Sequence, residues 1–280
     1  VIGPMAAATT SMTLHEPPGY IGPQDAWALA PPADAPEQPV LAIDTATRTA
    51  AVALCRGSTI LAEHVWHAAG TQTQQVLPEV ARLCARAGIA PAALGLVAVA
   101  IGPGSFTGLR VGVSLGKGMA LALRIPLVGI PTLDSVAYQQ RGRRQLICAV
   151  VDAGRGQVYA ALYRPAGGPA RSRLRRVGDY ATLRHEELAH ALSLAGERVV
   201  VCGEVEPELA KLVAEVSGGR AGAASPAACL RRPAFLAELA RWRLAEHGVP
   251  DAAALQPLYL RRAAGEDQAA RFLGRPAAPR

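Results

Sequence analysis

Lysine is nearly absent from this chain of 280 residues. Only Lys117 and Lys211 accompany a large excess of arginine, for a formal net charge of +7. No apolar stretch reaches the ~18–20 residues needed to cross a bilayer as a helix. The N-terminus also lacks a basic region followed by an apolar core, so the sequence predicts neither a membrane helix nor secretion. The five cysteines (Cys55, Cys84, Cys148, Cys202 and Cys229) make no C-x-x-C pair. Most sit among apolar neighbours, where a free thiol behaves as a small hydrophobe in a reducing cytoplasm. Metal-binding histidine pairs are missing as well. His64 and His67 fall three apart in a strand-like segment and therefore on opposite faces, while His185 and His190 are five apart, which does not stack on a helix.

What is present is a chain with 50% hydrophobic residues, enough to bury a substantial core in one large or two small domains. The positive charge invites a nucleic-acid reading. The tightest basic groups, Arg141/Arg143/Arg144 and Arg171/Arg173/Arg175/Arg176, fall in apparent loops. Direct contact with nucleic acid and ordinary solvated loop surface both fit them. The abundance of arginine and alanine together also matches a GC-rich coding bias.

Residues 1–38 differ in kind from the rest. Seven prolines punctuate an Ala/Thr-rich stretch with no strand or helix period, which predicts a disordered extension. Met5 and Met12 offer internal starts. From Val40 the pattern is strand (Val40–Asp44), strand (Ala50–Cys55), strand (Thr59–Trp66), then a helix over Thr71–Ala87 closed by Gly88. A strand Leu96–Ile101, a helix Thr107–Leu123, a strand Leu127–Ile130 and a helix Leu133–Gln139 follow. The order then restarts with Leu146–Asp152, a turn at Gly154–Gly156 and a strand Gln157–Arg164. Two βββα-type halves, each with an Asp ending its first strand, predict a duplicated α/β architecture. The boundaries read as 39–142 for the first subdomain, 143–262 for the second with a returning helix, and 263–280 as a flexible tail.

The most informative segment is Ile101-Gly102-Pro103-Gly104-Ser105-Phe106-Thr107-Gly108-Leu109-Arg110. It joins a buried strand to a helix through a glycine-rich turn, which exposes backbone N–H groups at a helix N-terminus. Gly102 and Gly104 permit close backbone approach, and Ser105 or Thr107 can cap the helix. Spacing alone fits an anion-binding turn or a well-capped strand-to-helix connection. The wording GPGSFTGLRVG (102–112) is more specific. Together with LAIDTAT (41–47), TQTQQVLPEVARL (71–83), VGIPTLDSVA (128–137), VDAGRGQVYAALY (151–163) and LQPLYLRR (255–262), it resembles the TsaB (YeaZ) family. These proteins are the non-catalytic partners of the TsaD-type tRNA threonylcarbamoyl transferase, and the likeness runs from about Val40 to Arg262.

That resemblance implies a duplicated actin-like ATPase or sugar-kinase type fold of two βββαβα-type subdomains. In that superfamily a D-x-G-T turn approaches the phosphates and metal of ATP. The matching residues here are Asp44, Thr45, Ala46 and Thr47, and Ala46 puts a Cβ where the glycine would let the backbone come closest. The second turn keeps Asp152 and Gly154 but has no following Thr. The resemblance therefore implies a vestigial nucleotide site at Asp44, Thr45, Thr47, Gly102, Gly104, Ser105, Asp152 and Gly154. No catalytic or metal-binding residue is expected, and no tightly bound cofactor; ATP and metal belong to the partner subunits. Gln72 stands where many relatives carry a histidine. Ser105 lacks the G-x-S-x-G elbow of a hydrolase. An ATP-dependent small-molecule kinase, an M22-type peptidase and a free-standing homodimeric binding protein are the rival readings.

What remains is surface. Val76, Leu77, Val80 and Leu83 form an apolar stripe at helical spacing on 71–87. Gly108, Gly112 and Gly116 form an i, i+4, i+8 row on 107–123, beside Val111 and Leu115. Each mid-helix glycine costs roughly 1 kcal/mol relative to alanine, so the row needs a compensating close approach, either to the chain's own sheet or to another helix. The resemblance assigns both helices to a partner interface: with a TsaD-like catalytic subunit, or with a second copy. A TsaE-like ATPase would join the assembly, and tRNA would be reached through the complex, in the cytoplasm.

Overall fold

The computed structural model describes residues 38–68, 70–166, 173–260 and 268–274; the expected extension lies almost wholly outside them. The first half opens with a meander of β1 (Val40–Asp44), β2 (Thr49–Arg56) and β3 (Thr59–His67), then α1 (Gln72–Ala87) and β4 (Leu96–Gly102). It closes with α2 (Phe106–Leu123), β5 (Leu127–Pro131) and α3 (Thr132–Tyr138). The second half runs through β6 (Leu146–Gly154), β7 (Gln157–Ala166), β8 (Arg173–Arg176), β9 (Ala181–Arg184), α4 (His185–Ser193) and β10 (Val199–Gly203). It continues with α5 (Pro207–Val216), β11 (Ala221–Ala223), α6 (Pro226–Cys229), α7 (Pro233–His247) and α8 (Gln268–Phe272).

Two sheets share one plan. The first is ordered β3-β2-β1-β4-β5 and the second β11-β10-β6-β7-β8, with β9 also on β7. In each, the first two strands are antiparallel, and the fourth and fifth elements run parallel to the first. β8 and β9 together fill the third place, pairing with opposite ends of β7. This is the duplicated plan of actin-like ATPases and sugar kinases. The central strands Val40–Asp44 and Leu96–Gly102 are buried along their whole length, and so is the edge strand Leu127–Pro131, as strands covered on both faces require.

Helices divide these faces. α1 and α2 lay Val76, Val80, Leu83, Val113 and Ala120 on one face of the first sheet. α7 covers the other with Ala234, Leu236, Ala237 and Ala240. In the second half α4, α5 and Phe272 of α8 cover one face. All seven residues of α3 are buried, because it wedges between the sheets and joins Leu41 and Val99 to Ile147 and Val200 in one continuous core. Two sequence expectations change here. Within the tail expected to be flexible, residues 268–274 are ordered and Phe272 is fully buried, since β9 and α4 leave an apolar slot for it. Arg173–Arg176, read as loop, is strand β8.

The wedge carries a polar knot. The Asp134 carboxylate accepts from the Tyr163 hydroxyl at 2.6 Å and the Tyr180 hydroxyl at 2.7 Å. Arg243 of α7 lies 3.8 Å from its other oxygen and donates to the Gly129 carbonyl at 2.8 Å. One carboxylate on the first half thus holds two phenols of the second and the returning helix. Asp134→Ala removes the carboxylate beside a buried guanidinium and the acceptor of two buried phenols, and is expected to cost about 3–5 kcal/mol; Asp134→Asn, which keeps an acceptor, should cost less. Urea unfolding of both variants checks the order.

Candidate functional site

The turn after β1, where the resemblance implies a vestigial nucleotide site, is filled by contacts within the chain. Asp44 ends a fully buried strand, and one of its oxygens accepts from the Ala46 N–H at 2.9 Å. Its other oxygen lies 3.6 Å from Nε of Arg231, on the segment between α6 and α7. Arg231 also donates to the Thr47 hydroxyl and the Thr49 carbonyl, both at 2.7 Å. Both side chains are 5% exposed, so a buried cation neutralises the carboxylate in place. Gln72 completes the clamp by donating to the Thr47 carbonyl at 3.0 Å.

The glycine turn closes on the same residues. Ser105 N–H donates to the Ala46 carbonyl at 2.6 Å, and the Thr45 hydroxyl donates to the Gly108 carbonyl at 2.7 Å. A Cβ at Gly104 would collide with the Ala46 carbonyl, one at Gly108 with the Thr45 carbonyl, and one at Gly112 with the Thr45 hydroxyl. The glycines therefore let the start of α2 and the loop before it close on the 44–47 turn. Ser105 caps α2, its hydroxyl accepting from Gly108 N–H at 3.3 Å. The segment before Tyr259 seals the far side. Leu258 N–H donates to the Ile101 carbonyl at 2.7 Å, and a Cβ on Gly102 would strike the Leu258 carbonyl at 2.6 Å.

A cleft of about 490 Å³ remains between the halves, lined by Thr47, Arg48, Gly104, Ser105, Phe106, Asp152, Ala153, Tyr159, Glu204 and Glu206. Of the expected nucleotide-site residues, Thr47, Gly104, Ser105 and Asp152 line it; Asp44, Thr45, Gly102 and Gly154 do not. Asp152 instead accepts from Gly154 N–H at 2.7 Å, and Glu204 accepts from Asp152 N–H at 3.1 Å. Three carboxylates against one guanidinium make the cleft unfavourable for a polyphosphate. The Tyr159 phenol is held above its ordinary value by burial and by the Asp152 charge. Among the described residues no three His, Cys, Asp or Glu side chains group to hold a metal ion. Burial pushes the thiols up, to about 11 at Cys55 and beyond the usual range at Cys148 and Cys202, which leaves them poor nucleophiles.

The helix residues expected at an interface divide sharply. Val76, Val80 and Leu83 are at most 3% exposed, and Gly108, Gly112 and Gly116 face inward, Gly116 against Val99 and Leu127. They pack against the chain's own sheet and turns, because the glycine row fits β4 and the 44–47 turn. Leu77 is 54% exposed, and Val111 and Leu115 are half-buried. Sequence reasoning missed Gly118, Leu121 and Phe106. A Cβ at Gly118 would meet nothing within 4 Å, Leu121 is 82% exposed and Phe106 54%. Ala81 and Ala85 of α1 are exposed as well. The period of α2 itself, 111/115/118/122 against 108/112/116, held that signal. The loop arginines are partly engaged. Arg141 stacks over Tyr138 at 4.4 Å and Phe235 at 4.8 Å, and Arg176 over Tyr180 at 3.9 Å. Arg143 bonds Gln140.

The family model for TsaD, tRNA N6-adenosine threonylcarbamoyltransferase, matches residues 67–217, more than half of the chain. The TsaB protein of Bacillus subtilis (strain 168), a tRNA threonylcarbamoyladenosine biosynthesis protein, is 39% identical over 129 residues, 46% of this chain and 56% of that one. Its Escherichia coli K12 counterpart is 36% identical over 127 residues, 44% and 54% respectively. The chain thus spans little more than half the length of these curated relatives. A Pseudomonas aeruginosa protein described as similar to the peptidase YeaZ superposes with a TM-score of 0.63 at 26% identity, over 80% of this chain and all of that one. No helix among the described residues is long and apolar enough to cross a membrane.

The Asp44–Arg231 contact should behave as a coupled unit. Asp44→Asn and Arg231→Met are each expected to cost about 3 kcal/mol. Together they should cost less than their sum, with a coupling of roughly 1–3 kcal/mol. A denaturant double-mutant cycle measures it.

Proposed function

This chain belongs to the TsaD-like family, on its TsaB (YeaZ) branch, and from that premise we propose that it is a non-catalytic subunit of a tRNA threonylcarbamoyladenosine-forming complex. The observation that carries the reading is the filled phosphate turn. Arg231, Ser105 and Thr45 use the groups with which an active member of the fold would grip a nucleotide. A small-molecule kinase needs that turn open. A peptidase needs a nucleophile with a base beside it, yet the Ser105 hydroxyl serves as a helix cap and no histidine lines the cleft. The chemistry then falls to a TsaD-like catalytic subunit, which supplies the metal and transfers the threonylcarbamoyl group, with a TsaE-like ATPase alongside. This chain binds and orients that subunit in the cytoplasm, and reaches tRNA through the complex.

The outer face of α1 and α2 is the proposed docking surface. Leu77, Ala81 and Ala85 follow an i, i+4, i+8 row on α1, and Val111, Leu115, Gly118 and Ala122 recur at helical spacing on α2. Gly118 is the informative residue. A mid-helix glycine costs about 1 kcal/mol relative to alanine, and none of the described residues comes within 4 Å of a Cβ placed there. Close approach by another helix is the compensating use.

Two outcomes test the reading. Co-purification with the TsaD-like subunit of the same genome, followed by a tRNA modification assay omitting each protein in turn, should show loss of modification without this chain. Leu77→Glu should keep the melting temperature while weakening that association by about 30- to 100-fold, because a charge enters the apolar seam. Gly118→Ala should separate folding from docking. Urea unfolding should show a gain of up to about 1 kcal/mol, while affinity for the TsaD-like subunit falls.

A further inference from the structure

The second half gathers arginines at one end of its sheet. β6 and β10 run parallel with Leu146 beside Val199, and β10 and β11 with Val199 beside Ala221. Backbone bonds extend both pairings by one residue, from Leu146 N–H to the Arg198 carbonyl and from Val199 N–H to the Arg220 carbonyl. Arg144, Arg198 and Arg220 therefore stand just before three adjacent strands. β7 finishes at the same end, since Tyr163 pairs with Ile147, and β8 starts there with Arg175 directly opposite Arg164. Five strands thus bring five arginines together across four strand spacings, about 19 Å in all.

Carboxylates are scarce at that end. Glu197 is taken up by Arg164 in hydrogen bonds of 2.7 and 3.0 Å, which relieves the like-charge contact between Arg164 and Arg175. Glu215, near the end of α5, lies 3.8 Å from Lys211. Arg220 donates to the Ser193 carbonyl at 2.8 Å. Arg144, Arg175, Arg198 and Arg220 are all exposed, and none forms an ion pair among the described residues. The other ends of β6 and β10 run into Asp152 and Glu204, with Glu206 and Glu208 just beyond. A coding bias sets how many arginines a chain has. It does not collect four that meet no carboxylate at one end of a sheet whose other end is acidic.

We propose that this end of the second half is an RNA-binding surface that grips the phosphate backbone of the tRNA directly. Self-repulsion among the four guanidiniums finds no offset within the described chain, and a continuous polyanion supplies one. Arginine suits phosphate because its planar fork donates two parallel N–H bonds. A row of cations matches successive phosphates of a strand better than it matches one small anion, which needs a pocket. The exposed aromatic side chains Phe106 and Tyr259 belong to the start of α2 and the 253–259 segment, so the contact holds the backbone and reads no bases. None of these arginines lies on α1 or α2, which leaves that pair free for a protein partner. The choice of tRNA rests on the function proposed above, while the attraction for RNA backbone rests on the charge alone.

Fluorescence anisotropy of labelled tRNA titrated with the full chain tests it. The wild-type chain should bind at about 50 mM salt, with an affinity that falls steeply as salt rises. Arg175→Gln with Arg198→Gln should weaken binding at least about tenfold and flatten the slope of log affinity against log salt by about 1–2, at an unchanged melting temperature. Arg48→Gln with Arg155→Gln removes the same charge from the acidic end and should change affinity less than about twofold, because distant charges are screened. No binding by the wild-type chain, undiminished binding by the Arg175/Arg198 variant, or equal losses in both variants overturns the inference. Phosphatidylglycerol vesicles are the second probe. If the Arg175/Arg198 variant loses these but not tRNA, the surface is a membrane contact and the inference fails. If tRNA modification requires this chain but the variant binds tRNA as the wild type does, the inference fails and the proposed function stands. If the variant loses tRNA while the wild-type chain neither binds the TsaD-like subunit nor supports modification, the RNA surface stands and the proposed function fails.

Discussion

A guanidinium buried against the carboxylate that ends the first strand sets the character of this molecule. Arg231 reaches Asp44, Thr47 and Thr49 from a segment more than 180 residues away in sequence. It neutralises a charge that would otherwise be stranded under the sheet, and burying that charge alone would be severely unfavourable. Once Arg231 is seated, the 44–47 turn is rigid enough for the glycine loop to close on it through Ser105 and Thr45. The start of α2 is placed by that closure, and with it the outer face of the helix pair. The 44–47 turn is a fixed joint between the first strand, the glycine loop and the segment that leads into α7.

The two halves are also tied directly. α3 has no exposed side, and Asp134 gathers phenols from one half and an arginine from the returning helix. The joint between the halves is filled by a continuous apolar core with a polar knot inside it. Such a body suits a part that must present a surface in constant register.

Much of the architecture was legible in the sequence because it is written in short-range patterns. The buried runs at 40–44, 96–101 and 127–130, the helical periods at 71–87 and 107–123, and the glycine after α1 each depend on neighbours a few residues away. The cleft was legible only in part. Thr47, Gly104, Ser105 and Asp152 could be placed by motif, whereas Glu204 lines the cleft, and Arg231 braces the neighbouring turn, through tertiary contacts that leave no local trace. The glycine row shows a subtler failure. Spacing proves that Gly108, Gly112 and Gly116 share one side of α2 but does not say which side, and α2 turns it toward Thr45, Val99 and Leu127. The glycine with open space, Gly118, lies off that row. The resemblance to TsaB proteins points at α1 and α2, and burial divides their residues into an inward and an outward set.

The place of α7 has a consequence for how the chain is made. One face of the first sheet, complete in sequence by Pro131, is covered among the described residues by a helix that begins only at Pro233. During synthesis the ribosome must deliver about another hundred residues before that cover exists. The early half therefore emerges with an apolar sheet surface open to whatever is nearby, and nascent-chain chaperones would be its first company. A chain that finishes its opening lobe last depends on its own C-terminal third to leave the ribosome as a native protein.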